Sequence, residues 1–242
     1  MPDPIAQLEY ECAEAWPALV DEPLGDWRMR AAGGFTGRAN STLTLGDPGM
    51  PIAGALLRTV DFAAANGIGP TAHVVKDSQV EAKIAAQGWA VDHAHPGGAE
   101  SAVMTGPLSP GGFAGAAVHD RPPTGWWELA AGSATPSPAQ RHVLSSKSGV
   151  GYGVVTRDGE VLAAVRGAIV GDLLHISRLA VRLSARRQGL AIGLLRTLYT
   201  WAHERGARRQ ALQVAEHNTA AIRLYERFGC VEHHRYCYWI PC

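Results

Sequence analysis

The residues best placed to do chemistry are Arg186-Arg187-Gln188-Gly189-Leu190-Ala191. They lie between a strand-like run, Leu173 to Val181, and a helical run from about Gln188 to Glu204. A glycine turn that opens a helix presents unpaired backbone N–H groups at the positive end of the helix dipole. Such a turn is a ready site for a phosphate or pyrophosphate. The arginines add mobile positive charge beside it. Basic clusters such as Arg182, Arg186 and Arg187 are usually solvated faces, and it is their place in the turn that points to a phosphorylated cofactor. A second candidate is His175, which shares one strand face with Ser177 by the period-two rule. Its intrinsic pKa suits proton acceptance near neutrality. A surface histidine beside the Gly171-Asp172 turn is an equal reading of it.

These residues need elements to hold them, and the second half of the chain reads clearly. Val150 to Thr156, Val161 to Ile169 and Leu173 to Val181 are strand-like, separated by Asp158-Gly159 and Gly171-Asp172, both good hairpin turns. The pattern predicts an antiparallel meander that feeds the arginine turn. A long helix follows, with Leu190, Leu194, Leu198 and Trp201 at apolar positions. Then come a strand at Gln210 to Val214, a helix from Thr219 to Phe228, and a last strand from Glu232 to Trp239. The strands on either side of the long helix are expected to run parallel and splay apart, because a helix joins them.

The first half is less sharply patterned. Residues 4–17 read as a short helix with Ile5, Leu8, Cys12 and Ala15 on one face. Trp27 to Leu45 reads as two strands around Gly33-Gly34. Ile52 to Ala65 is helical and stops at Asn66-Gly67. Thr71 to Val75 reads as a strand and Gln79 to Gln87 as a helix. Residues 93–125 are rich in Gly, Pro, Ala and Ser; Ser101 to Thr105 reads as strand and the rest as linker. Residues 130–138 read as a loop before a helix near Ala139 to Ser145. A weak internal repeat is visible: Phe62 to Gly67 followed by Ala72 to Val75 parallels Trp201 to Gly206 followed by Ala211 to Val214, either a degenerate duplication or the likeness that any two helix–Gly–strand units share. The first copy lacks the cofactor turn.

At 242 residues the chain can bury a substantial core. It has 22 basic and 22 acidic residues, so no net basic field favours nucleic acid or a membrane surface. The four cysteines, Cys12, Cys230, Cys237 and Cys242, form no CxxC pair, and the ten histidines lack metal spacing. No metal is expected. No N-terminal apolar run resembles a signal peptide and no segment approaches a membrane span, so a cytoplasmic protein is expected.

The second half resembles the GNAT superfamily of acetyl-CoA-dependent N-acetyltransferases over about residues 140–240. Arg186-x-x-Gly189-x-Ala191 is similar to the cofactor signature Arg/Gln-x-x-Gly-x-Gly/Ala. Leu179-Ala180-Val181 ends the preceding strand as in that family. Asn218 to Gly229, including Ala221, Leu224 and Tyr225, resembles the Asn-x-x-Ala-x-x-Leu-Tyr-x-x-x-Gly motif. The resemblance implies an α/β fold with a mixed, mostly antiparallel sheet. The GNAT fold would occupy residues 126–242, and a degenerate GNAT-like lobe residues 1–125. It implies that Leu179, Ala180 and Val181 pair with the pantetheine arm of acetyl-CoA and place a donor near the thioester oxygen. The turn formed by Arg186, Arg187, Gln188, Gly189, Leu190 and Ala191 would hold the pyrophosphate. Asn218, with Ala221 in the same motif, would contact the arm or fix the following loop. Tyr225 would be the general acid toward sulfur, a role that suits a phenol protonated at neutral pH. Many relatives carry a Glu base on the strand before the turn, and this strand carries none, which leaves His175 as the candidate base.

The acceptor is open between classes. The two-lobed architecture resembles proteins described as N-acetylglutamate synthases, which would place the enzyme in amino-acid biosynthesis. Arg28, Arg30 and Arg38 could clamp a dicarboxylate, although each alone reads as ordinary surface charge. The region around Asn218 to Gly229 also resembles ribosomal-protein N-terminal acetyltransferases, and the aromatic strand Tyr236, Tyr238, Trp239 could line a peptide groove. A non-catalytic acetyl-CoA-binding sensor is the third reading. The partners expected are acetyl-CoA and a small amine or peptide acceptor, with no nucleic acid and no membrane, in a monomer or homodimer.

Overall fold

The computed structural model of the protein describes residues 3–242. The helices are α1 (Pro4–Ala15), α2 (Ile52–Ala65), α3 (Gln79–Ala85), α4 (Trp126–Ala131), α5 (Pro138–Ser145), α6 (Leu190–Glu204) and α7 (Thr219–Glu226). The strands are β1 (Val20–Leu24), β2 (Trp27–Ala31), β3 (Thr42–Leu43), β4 (Ala72–Val75), β5 (Trp89–Val91) and β6 (Glu100–Pro107). They continue with β7 (Ala116–His119), β8 (Val150–Arg157), β9 (Glu160–Val170), β10 (Leu173–Val181), β11 (Arg209–Ala215) and β12 (Val231–Pro241). The fold is mixed α/β, as the sequence leads one to expect. The chain divides into two compact units. One comprises the described residues through Val103 together with Gln213–Thr219 and Glu232–Cys242; the other comprises Met104–Leu212 and Ala220–Val231.

In the first unit, β1 and β2 form an antiparallel hairpin, and β2 pairs antiparallel with β3. β3 pairs parallel with β4, the connection between them carrying α2. β12 closes the unit, antiparallel to both β4 and β5, with Trp239 opposite Ala72 on one side and Val91 on the other. Trp27, Met29, Leu56, Phe62, Val74, Ile84, Trp89 and Trp239 build one core. The helix Ile52–Ala65 has the span read from the sequence, ending at Asn66, whose N–H bonds back to Phe62 and Ala63. Strand β1 is not apparent from the sequence, because the exposed Asp21, Glu22 and Pro23 disguise an edge strand.

In the second unit, β7, β8, β9 and β10 pair antiparallel in chain order. The expected meander is present. Asp158 and Gly159 both take positive φ, 51° and 80°, as a tight two-residue hairpin requires. Helix α6 packs against this sheet, and it does so closely: a Cβ at Gly167 would come within 2.9 Å of Leu198 and Leu174. Two elements escaped the sequence reading. Strand β7 lies inside the stretch read as linker, and pairs Ala116 through His119 with β8. Helix α4 is only six residues long, bounded by Gly125 and Gly132, both in left-handed conformation. Short elements bounded by glycine carry too few residues to show a period. Helix α5, in contrast, starts on a full capping box, Ser137 with Gln140.

Candidate active site

Strand β10 changes partner along its length. Its first three residues pair parallel with β11, Leu173 with Arg209, Leu174 with Gln210 and His175 with Ala211. Its pairing with β9 continues to Val181, but the register shifts between Ser177 and Ala180. Arg178 sits in the irregularity with φ of 57°. A bulge of this kind bends a strand and releases backbone groups from the ladder. Leu179, Ala180 and Val181 are half-buried; Ala180 and Val181 stay paired with Ala164 and Ala163 of β9, while the pairing with β11 ends at His175.

A short turn then leads to Gly189, the N-cap of α6, with φ of 78°. No side chain caps this helix and its first turn holds no acidic residue. The first α6 N–H turned back along the helix is that of Gly193, to the Gly189 carbonyl at 3.0 Å. The donors before it point forward from the positive end of a fifteen-residue helix. Arg186, Arg187, Gln188 and Gly189 are all exposed, Leu190 is buried as the first core position, and Ala191 is half-buried. Arg182, the third basic residue of this cluster, is drawn away to Glu160 at 2.9 Å. This geometry fits an anionic group: a left-handed residue, a helix start without a side-chain cap or an acidic residue in its first turn, and the exposed arginines Arg186, whose Nε donates to the Val181 carbonyl at 3.4 Å, and Arg187.

Tyr225 lies on α7 and is 5% exposed. Burial pushes its phenol well above the ordinary tyrosine value, and the neighbouring Cys230 thiol adds to the rise. Cys230 is itself pushed up to about 11 by burial. Both groups therefore hold their protons at neutral pH. Beneath them Tyr199 donates to Gln210 Oε1 at 2.8 Å and meets Phe228 edge to face at 5.2 Å. Asn218 is exposed in the turn before α7, its N–H bonded to the Ala215 carbonyl at 2.9 Å, and Ala221 is half-buried in the helix's first turn. His175 is 0% exposed and stands in the middle of the sheet, opposite Ala168 of β9 and Ala211 of β11. The alternative of a surface histidine therefore does not describe it.

The first unit contains a cavity of about 710 Å³. Arg38, His95, Ser101, Gln213, Tyr236 and Tyr238 supply its principal side chains, over backbone rich in glycine. Tyr238 stacks on His95 at 4.1 Å between ring centroids, and Tyr236 on His73 at 3.8 Å. Trp239, grouped with these tyrosines in the sequence, instead belongs to the core. The three arginines read as a clamp have different surroundings. Arg28 makes a two-pronged pair with Asp21, and Arg30 is buried on β2. Only Arg38 lines the cavity.

Below the cavity lies a charge cluster that the sequence did not disclose. Glu9 of α1 is 1% exposed, with His234 Nε2 at 2.8 Å and His73 Nε2 at 3.3 Å from its two oxygens. Burial would raise its carboxyl, but His73 and His234 outweigh that and hold it well below the carboxylate range. Glu9, His73 and His234 lie far apart in the chain, so no local spacing could have joined them. Among the described residues no group of three or more His, Cys, Asp or Glu side chains is arranged to hold a metal ion, and no helix is long and apolar enough to cross a membrane.

Residues 3–239 match the family model described as "Probable histone acetyltransferase Rv0428c C-terminal". The chain is similar to the "Uncharacterized N-acetyltransferase YobR" of Bacillus subtilis (strain 168), 25% identical over 243 residues that cover 96% of this chain and 98% of that protein. Among solved structures it is similar to a GCN5-related N-acetyltransferase from Kribbella flavida, with a TM-score of 0.72 at 14% identity, covering 99% of this chain and 96% of that one. A GCN5-related N-acetyltransferase from Sphaerobacter thermophilus gives a TM-score of 0.60 at 21% identity, covering 82% of this chain and 71% of that one. At such identities the solved structures speak for the fold.

Proposed function

This chain belongs to that family and is an acetyltransferase of the GNAT type, and on that premise we propose that it moves the acetyl group of acetyl-CoA to the primary amine of a small acceptor. The observation that carries the donor assignment is the start of α6: uncapped, free of acidic residues in its first turn, and opened by a left-handed glycine. In this reading the N–H groups from Arg187 to Ala191, including those of Gln188, Gly189 and Leu190, hold the pyrophosphate, and the Arg186 and Arg187 side chains add charge. The half-buried strand end Leu179, Ala180 and Val181 takes the pantetheine arm, with Asn218 and Ala221 contacting the arm or fixing the loop that leads into α7. Acetyl-CoA supplies an acyl group on a thiol that can leave. Tyr225 keeps a proton at Oη for that sulfur, and what supports this is the rise of its phenol on burial.

His175 would act on the acceptor proton only if the sheet around it opened; we assign it to holding the short parallel pairing of β10 with β11. A base is dispensable where the amine arrives neutral. The degenerate-duplication reading of residues 1–125, with transfer carried by residues 126–242, is supported by topology. In each half a parallel strand pair is joined by a connection that carries a helix, β3 and β4 through α2, β10 and β11 through α6. L-Glutamate is the acceptor that the two-lobed resemblance favours, and would place the enzyme in cytoplasmic amino-acid biosynthesis. A peptide N-terminus is the second reading, favoured by Tyr236 and Tyr238 in the cavity wall.

The test is thiol release from acetyl-CoA by the purified protein against glutamate, other amino acids, polyamines and short peptides. Release dependent on an amine is the expected result. Tight acetyl-CoA binding without release against any amine would replace the enzyme by a sensor.

A further inference from the structure

The cavity of the first unit has an unusual charge inventory. Its lining includes Arg38 and, among the described residues, no Asp or Glu. Its other ionisable groups are neutral near pH 7: burial raises both tyrosines and lowers His95. The cavity therefore presents one fixed cation and no anion.

That cation is built in. Arg38 lies in a short 3-10 turn, Gly37–Ala39. Its guanidinium sits 4.4 Å over the Trp16 ring and donates from Nη1 to Gln213 Oε1. The loop that presents it is tied by buried Asn40. The Oδ1 of Asn40 accepts from the N–H groups of Ala32 and Gly34 at 2.7 and 2.9 Å, and its Nδ2 donates to the Thr36 carbonyl at 2.8 Å. A Cβ at Gly37 would fall 2.6 Å from His95 Nε2 and 2.9 Å from Tyr238, so this backbone rests directly on the aromatic wall. Each tyrosine is in turn backed by a histidine ring, and His73 is anchored to Glu9. An ordered cation over a pre-set aromatic and glycine-lined wall suits ligand recognition, since little entropy is lost when a ligand binds such a site.

Volume bounds the ligand to metabolite size. Charge bounds it further. A polyamine or a lysine-rich segment would bring several cations to a cavity that offers a cation and no carboxylate. A carboxylate would meet a guanidinium, whose fork of donors matches it. We propose that this cavity binds a small amino carboxylate, the acceptor class of the transfer, anchored through its carboxylate by Arg38, with Trp16, Gln213 and Asn40 as positioning residues. The inference rests on the acetyl-transfer reading. In the transfer a nitrogen–acyl bond forms and the carbon–sulfur bond breaks; one proton leaves the amine and one reaches the sulfur.

The experiment compares matched probes on the intact protein: free L-amino acids, glutamate among them, their carboxamides, spermidine, and a lysine-rich peptide. Each is titrated by calorimetry without acetyl-CoA and assayed for thiol release with it. Amino carboxylates should bind and turn over, and their carboxamides should be weaker. Arg38→Gln should lower kcat/KM for the carboxylates about 10- to 100-fold, the range for a lost charge-assisted hydrogen bond. The loss should fall mainly on KM, with carboxamide turnover and acetyl-CoA affinity unchanged. Arg38→Lys, which keeps the charge, should recover part of it. The proposal is overturned if spermidine or the lysine-rich peptide is preferred, if no amino carboxylate binds, or if Arg38→Gln affects carboxylate and carboxamide alike. Failure of the wild-type protein to bind acetyl-CoA would instead sink the transfer reading, and the calorimetric arm would still decide the ligand class.

Discussion

Tyr225 and Glu9 show how burial sets the protonation of single groups in opposite directions. Among the described residues no countercharge offsets the desolvation of Tyr225, so desolvation dominates and the phenol keeps its proton. Replacement by Phe removes that proton and little volume. Tyr225→Phe should lower kcat by about 10²- to 10⁴-fold, with the acetyl-CoA dissociation constant unchanged when measured by calorimetry. An unchanged rate would remove the acid role. Glu9 stays charged because His73 and His234 bracket it; Arg30 also adds its charge to the cluster. A carboxyl whose folded pKa lies below its ordinary 4.5 adds stability above that pH and loses it as the pH falls below. His73 is held below its ordinary 6.5 by burial, so the unfolded chain takes up that proton first and stability also declines as the pH drops below 6.5. Melting curves against pH should show both declines. Glu9→Gln should cost about 1–3 kcal/mol at neutral pH and abolish the lower decline; a variant with the same acid limb as the parent would show that Glu9 does not drive it.

At the scale of elements, the decisive piece is the join between β10 and α6. The irregularity at Arg178 shifts the register of β10 against β9 between Ser177 and Ala180, and Gly189 turns the chain into the helix. Each device depends on a backbone angle that few side chains accept. A Cβ at Gly189 would meet nothing within 4 Å, so the constraint is conformational and not steric. Gly189→Ala should therefore cost about 1–2 kcal/mol of strain, seen as weaker acetyl-CoA binding with the fold intact by circular dichroism. Gly189→Glu should weaken binding further, because it adds an anion where an anion is to be held. Equal affinities for all three proteins would place the donor elsewhere.

At the scale of the whole molecule, the first unit is discontinuous in sequence. Its last strand, β12, comes from the end of the chain and covers β4 and β5. Cys237 and Trp239 belong to the same core as Trp27, Leu56 and Trp89. A fragment of residues 1–125 lacks this strand and leaves that apolar face open. It should show no cooperative thermal unfolding, whereas the full chain should; a cooperative transition in the fragment would mean that β12 is dispensable.

The sequence by itself determined the parts whose signals are contiguous. The meander of β8, β9 and β10 was legible because its turns, Asp158-Gly159 and Gly171-Asp172, sit between apolar runs. The cofactor turn was legible because its residues follow one another within one strand–helix join, where backbone angle and helix dipole act locally. Strand β7 and helix α4 were hidden by the glycine and proline around them, being too short to establish a period. Tertiary structure alone decided the cavity and the charges beneath it. Arg38, the stretch from His95 to Ser101, Gln213 and Tyr236 come from four separated segments. Glu9, His73 and His234 come from a helix and two strands. A charged residue reads as surface in a sequence, because a lone charge cannot be buried; whether it is buried depends on the partner that folding brings to it.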